Sequence, residues 1–288
     1  MSLIARRLAV LALVAAPLLA SACAPQTVIR RSAFIPGVSA PARSGGELED
    51  GQVRLSGHIN AIRTNSDVVH LDDLFTLPGD PGAFIPDFQL GASAYFGLGS
   101  GFELGGQVGY ASLSWSHRNT PGVLSFPSGN QEDLLLGGVG VRYNFPIKHP
   151  SLRLGALCEL NFVNIPEAIF KLDSATDEYE FQRVDHENFM LPNLALQLGW
   201  EQLFEAGGVT PYLLLGVQRS VTNVGFDNQI ANLDDNTLEG YWIGYAGLGA
   251  ELRIQSFVIG ASFYVPFQSA NRIEFGPAFA INIGGIID

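Results

Sequence analysis

From Gln52 to Ile286 apolar residues alternate with Gly, small or polar residues, in stretches separated by Pro-, Asn-, Asp- or Gly-rich segments. In Arg272–Ile283, for example, Ile273, Phe275, Pro277, Phe279, Ile281 and Ile283 alternate with Glu274, Gly276, Ala278, Ala280 and Asn282. A period of two is that of a strand with one apolar and one polar face. The pattern predicts ten strands: Gln52–Arg63, Asp87–Leu98, Gly101–Ser114, Asp133–Phe145, Leu152–Val163, Met190–Glu201, Val209–Val221, Gly240–Arg253, Phe257–Val265 and Arg272–Ile283. No amphipathic helix intervenes, so the strands are expected to close into one antiparallel sheet.

The connections alternate in length. Gly99-Ser100, Pro146–Ser151, Gln202–Gly208 and Ile254–Ser256 are short, whereas Thr64–Pro86, Trp115–Glu132, Asn164–Phe189 and Thr222–Glu239 are long. A transmembrane up-and-down β-barrel has short turns on the periplasmic side and long loops outside. Ten strands place both ends of the barrel on the short-turn side. The predicted fold is therefore all-β: a transmembrane antiparallel barrel of about ten strands over residues 51–288.

Register separates two faces. Outward positions include Leu90, Phe96, Leu135, Val139, Phe162, Leu194, Leu196, Leu198, Phe257 and Ile259, none of them charged, as contact with hydrocarbon requires. Phe145, Trp200, Tyr110 and Trp242 fall near strand ends, where an interfacial aromatic girdle is expected. The inward face carries a predicted charge network of Arg54, Glu103, Arg142, Arg153, Glu159, Glu251, Arg253 and Glu274, with glycines between them. Mixed signs point to paired charges in a filled lumen.

Composition agrees. Only 15% of residues are charged, against a typical ~25%, and mean hydropathy is +0.20, yet no internal run approaches the ~20 apolar residues of a membrane helix. Near the start, Arg6-Arg7 precede the apolar Leu8–Leu19 and the small residues Ala20-Ser21-Ala22 before Cys23. This arrangement resembles a bacterial lipoprotein signal, although Ala20 stands where that family usually has Leu. The resemblance implies a signal peptide over residues 1–22 and lipidation of Cys23. Pro- and Gly-rich residues 23–50 then read as a periplasmic tether. Without Arg6 and Arg7 the 16 basic residues fall to 14 against 28 acidic ones, a balance that disfavours a nucleic-acid partner.

The region after residue 50 resembles the bacterial outer-membrane β-barrel superfamily. Glu274-x-Gly276-x-x-Phe279-x-Ile281 is similar to the last-strand pattern read by barrel-assembly machinery. That resemblance implies residence in the outer membrane of a Gram-negative bacterium, with outer-membrane lipid and the assembly machinery as partners.

The expected extracellular acidic loops hold Asp67, Asp72, Asp73, Asp173, Asp177, Glu178, Asp227, Asp234 and Asp235. Such a surface could steer a basic partner, but it has no calcium-loop spacing. No metal ligand set, cofactor motif or catalytic residue is predicted. The expected role is a non-enzymatic barrel with a side-chain-filled lumen, acting in surface interaction or as a structural part of an envelope complex with protein partners. The alternative is a narrow passive channel for small or apolar solutes. A minor alternative is an outer-membrane protease of omptin type, for which His70 beside Asp72 and Asp73, or Asp185-His186, supplies the residue types.

Overall fold

The computed structural model describes residues 29–33, 48–62, 83–116, 123–124, 131–173, 178–222, 239–267 and 277–288. They form β1 (Ile29–Ala33), β2 (Val53–Ile62), β3 (Ala83–Gly99), β4 (Phe102–Ser116), β5 (Val123–Leu124), β6 (Gln131–Phe145) and β7 (Leu152–Asp173). There follow β8 (Glu178–Trp200), β9 (Gln202–Phe204), β10 (Gly207–Thr222), β11 (Glu239–Ile254), β12 (Phe257–Pro266) and β13 (Ala278–Ile287).

Ten of these close on themselves in the order β2, β3, β4, β6, β7, β8, β10, β11, β12, β13, every neighbour antiparallel. The seam pairs β13 with β2, from Ala278↔Ile62 to Ile287↔Val53. Closure satisfies every edge, which a sheet in hydrocarbon requires. β9 prolongs β8 beyond Glu201 in the same register against β10. One inner turn, Gly99-Ser100-Gly101, has three successive positive φ angles of 78°, 52° and 81°.

Alternation is read out literally. β12 runs exposed, buried, exposed, buried from Phe257 to Tyr264. Large apolar side chains face outward on all ten barrel strands, for example Ile59, Leu90, Val108, Val139, Phe162, Leu196, Leu213, Leu248, Phe263 and Ile281. A soluble monomer rarely exposes more than a few hundred Å² of contiguous apolar surface. A continuous belt of this kind belongs in hydrocarbon, and the fold is a transmembrane β-barrel. At its short-turn rim Phe102 and Tyr143 pack with ring centroids 4.5 Å apart, Tyr143 and Phe145 at 4.9 Å, and Trp200 against His149 at 5.0 Å. Arg219 faces outward opposite Trp242 near the long-loop end of β10.

Two sequence expectations are corrected. Asn164–Phe189, read as a long loop, is largely strand: the β7–β8 ladder continues from Asn164↔Asn188 to Asp173↔Glu178, with one bulge between Ile169 and Phe170. Asp173 and Glu178 therefore sit opposite one another at the hairpin end. Outside the bilayer there is no apolar–polar contrast to reveal these strands. The last strand also runs past Ile283 to Ile287, because Ile283, Gly285 and Ile287 continue its outward row through the glycines. Cys23, His70, Glu274, Gly276 and the predicted loop acids Asp67, Asp72, Asp73, Asp177, Asp227, Asp234 and Asp235 lie outside the described residues.

Candidate functional site: the lumen network and the projecting hairpin

The inward face buries polar side chains at every level. Nearest the short-turn rim, Arg54 on β2 donates to Glu251 on β11 through Nη1–Oε1 at 3.0 Å and Nη2–Oε2 at 2.7 Å. Both side chains are buried, and β13 and β12 lie between their strands. Charged, bidentate hydrogen bonds of this type are the strong ones. Glu103 on β4 is wholly buried; its Oε1 accepts from Asn144 Nδ2 at 2.9 Å and from the backbone N–H of Leu48 at 3.1 Å. Leu48 packs there with Tyr95, Val258 and Ile286. Arg142, the register partner of Glu103, donates to Gln197 Oε1 at 2.7 Å.

Higher in the barrel a relay of four side chains reaches across the lumen. Tyr95 on β3 donates to Glu159 Oε1 on β7 at 2.6 Å, Asn193 on β8 donates to Glu159 Oε2 at 3.3 Å, and Tyr245 on β11 donates to Asn193 Oδ1 at 2.7 Å. Gln107 on β4 adds a 2.8 Å bond to Asn161 on β7. Because several of these bonds skip strands, they brace the wall against collapse or shear. Satisfaction is incomplete, since Asn161 Nδ2 and Asn144 Oδ1 are buried without a partner among the described residues, but the bonds that are made favour a single arrangement.

Glycine makes room for the rings. Tyr245 lies over Gly216, Tyr212 over Gly249, Tyr264 over Gly247 and Tyr95 over Gly105, each ring covering its own register partner. A Cβ at any of these glycines would overlap the ring. Over these four glycines the space is taken by tyrosines, which hydropathy alone leaves on neither face, while Glu159 lies over Gly140 and Arg142 over Gly155. The usable clue was a Tyr and a Gly falling opposite each other in register.

The remaining predicted lumen residues lie at the rim. Arg153 is inward by register but pairs with Glu201 at the short-turn mouth. Arg253 is also inward by register, yet exposed, and its Nε donates to the Gln255 carbonyl at 3.2 Å. With Arg54, Thr210, Glu251 and Ile286 it borders a mouth cavity of about 330 Å³.

At the other end the β7–β8 hairpin stands clear of the barrel. β6 leaves β7 at Leu135↔Asn164, and β10 leaves β8 at Gln218↔Asn193. The hairpin then continues to Asp173, about 30 Å of strand at ~3.3 Å per residue. β1 pairs with its β7 edge from Ile29↔Lys171 to Ala33↔Glu167, and β5 pairs in parallel with its β8 edge at Val123↔Tyr179 and Leu124↔Glu180. Arg183 Nε bonds Asp185 Oδ1 at 2.9 Å, while His186 Nε2 lies 3.5 Å from Glu132 Oε2. Asp185 thus serves Arg183 and does not orient the neighbouring imidazole. Among the described residues no cluster of His, Cys, Asp and Glu could hold a metal ion.

A transmembrane barrel of ten strands, internally cross-linked and carrying a tall hairpin, is the class that fold and site define. No protein-family model and no curated protein matches the chain. Among solved structures it is similar to the N-terminal β-barrel domain of Pseudomonas aeruginosa OprF, at 10% identity over 83% of this chain and 100% of that one, with a TM-score of 0.30. The translocator domain of autotransporter NalP from Neisseria meningitidis gives 12%, 84%, 89% and 0.41 for the same quantities. The outer membrane protease OmpT from Escherichia coli gives 7%, 84%, 97% and 0.36. At these identities and scores the likenesses add nothing to the architecture read directly from strand pairing.

Proposed function

We propose that this protein is a non-conducting, non-enzymatic barrel of the Gram-negative outer membrane that displays the β7–β8 hairpin and the acidic loops at the cell surface for interaction with other envelope or external proteins. The observation that carries this reading is the lumen network, in which Glu103, Glu159, Arg54, Arg142 and four tyrosines occupy the interior instead of lining a water column. Barrels of about eight strands are filled by side chains, whereas 16–18 strands leave an aqueous channel, and ten lie near the filled case. A barrel that transports nothing retains its surface as its working part. Among the described residues the hairpin is the largest regular structure there, and the predicted surface loops with this hairpin hold 16 of the chain's 28 acidic residues.

The test is conductance of the purified protein in planar bilayers. The reading expects baseline current with rare, brief openings. A steady open state whose ion selectivity follows Arg142→Ala or Glu159→Ala would replace it with the narrow-channel reading. Cross-linking on intact cells, with and without the hairpin, would then capture the partner.

A further inference from the structure

One patch of the lipid-facing wall is built differently from the rest. Along β7 the outward row runs from Leu154 through Ala156 and Cys158 to Leu160, so two small side chains make a dent between leucines. Register carries the dent across two more strands. Val217 on β10 pairs with Leu194 on β8, which pairs with Cys158; Leu215 pairs with Leu196, which pairs with Ala156. These two rows line an open groove of about 530 Å³. Phe267 closes its β11 side. The Phe267 N–H donates to the Gly244 carbonyl at 3.0 Å, and the ring covers Gly244, the register partner of Val217, where a Cβ would overlap it.

The next outward residue beyond Val217 is Arg219, exposed and opposite Trp242. Between the short-turn rim and the base of the hairpin it is the one cation among the described outward residues. Among the described residues no hydrogen bond or ion pair fixes it. The β8–β10 ladder stops one pair short of it, at Gln218↔Asn193. A tryptophan at a strand end marks head-group height in a membrane barrel.

We infer that this groove holds an acyl chain of a phosphate-bearing lipid whose headgroup is bound by Arg219. The groove faces hydrocarbon, so its occupant is a lipid chain or a second barrel. Charge decides between them. A second copy of this wall offers Arg219 only Asp133 as an outward carboxylate below the hairpin among the described residues, and Asp133 already accepts from Tyr110 at 2.7 Å. A guanidinium matches a phosphate through paired, charged hydrogen bonds. The reach fits a single lipid. Ala156 lies two strand spacings from β10, about 10 Å at ~4.8 Å each, and Arg219 four residues beyond Leu215, about 13 Å at ~3.3 Å per residue. In the dent the chain touches wall atoms on its flanks as well as beneath, and each contact adds dispersion attraction. The lipid belongs to the outer leaflet, an assignment that rests on the proposed orientation with the hairpin outside.

The test is native mass spectrometry of the full-length protein in detergent, titrated with lipid A and with dephosphorylated lipid A. One lipid A per barrel should be retained, at least tenfold in preference to the dephosphorylated form. Arg219→Gln should abolish that preference and Arg219→Lys should keep part of it. Ala156→Leu with Cys158→Leu fills the dent and should weaken retention of lipid A at least tenfold. Ala94→Leu, outward on β3, should change nothing, and heat-modifiable gel mobility reports that each variant is folded. Equal retention of the two lipids, or an Arg219→Gln barrel that binds like its parent, would overturn the headgroup contact. A filled dent that still holds lipid A, or an Ala94→Leu barrel that loses it too, would overturn the groove. A dimer of barrels in place of the lipid adduct would overturn the proposal in favour of a second copy. Orientation is read separately: Asn188→Cys left unlabelled by a membrane-impermeant maleimide on intact cells would overturn the outer leaflet and the proposed display at the cell surface together.

Discussion

Arg54 and Glu251 face each other across two intervening strands, their guanidinium and carboxylate joined by parallel contacts of 3.0 and 2.7 Å. With both groups buried, removing one leaves the other's charge without its bidentate partner. Arg54→Ala is expected to cost about 3–5 kcal/mol, whereas Arg54→Leu with Glu251→Leu should cost much less, since an apolar pair can replace a buried ion pair nearly neutrally. Urea unfolding in lipid vesicles, followed by tryptophan fluorescence, measures both. Additive losses in the double variant would sink the idea that the two side chains act as a unit.

The ring of Tyr245 rests on Gly216 and its hydroxyl bonds Asn193. Gly216→Ala should destabilise by about 1–3 kcal/mol through overpacking. The same change in a Tyr245→Ala background should cost far less, because the ring it collides with is gone. Coupling between the two positions, read in the same unfolding assay, is the decisive quantity.

Leu196 faces lipid between Ala156 and Leu215, midway along its spanning segment, whereas Leu203 is exposed at the short-turn rim. Leu196→Arg should cost about 2–4 kcal/mol and Leu203→Arg about 0–1 kcal/mol, the depth dependence of a charge on a lipid-facing strand. Equal costs would mean that the apolar belt does not sit at the expected height.

Among the described residues the outer part of the hairpin pairs only with its own two strands and with β1 and β5. Replacing residues 168–182 with a short Gly-Ser turn should therefore leave the barrel's heat-modifiable mobility intact. Its unfolding free energy should move by less than about 1 kcal/mol, the scale of changes made away from packed cores. Failure of the truncated protein to fold would show that the hairpin belongs to the barrel's folding unit and is not an appendage.

Strand number, strand direction and the two faces were legible because lipid imposes a contrast that alternation records directly: Phe279, Ile281 and Ile283 out, Ala278, Ala280 and Asn282 in. Above the bilayer that contrast vanishes. Residues 182–188 read Gln, Arg, Val, Asp, His, Glu, Asn, with polar residues on both faces, and their strand escaped notice. The predicted lumen charges also came without partners. Which strands a long side chain reaches depends on the stagger around the barrel, and alternation along one strand carries no record of it. Arg54 meeting Glu251, rather than a residue on an adjacent strand, is such a case.

The seam between β2 and β13 has a kinetic meaning. Val53 is paired with Ile287, so the first barrel strand waits for the last before its free edge is covered. Every shorter chain presents two open edges and a one-sided apolar belt, the combination that aggregates in water. Such long-range pairing is slow to form because loop closure comes before the contacts that reward it. The barrel is thus all or nothing in time as well as in space: the outer edge of the first barrel strand stays uncovered until the final strand arrives.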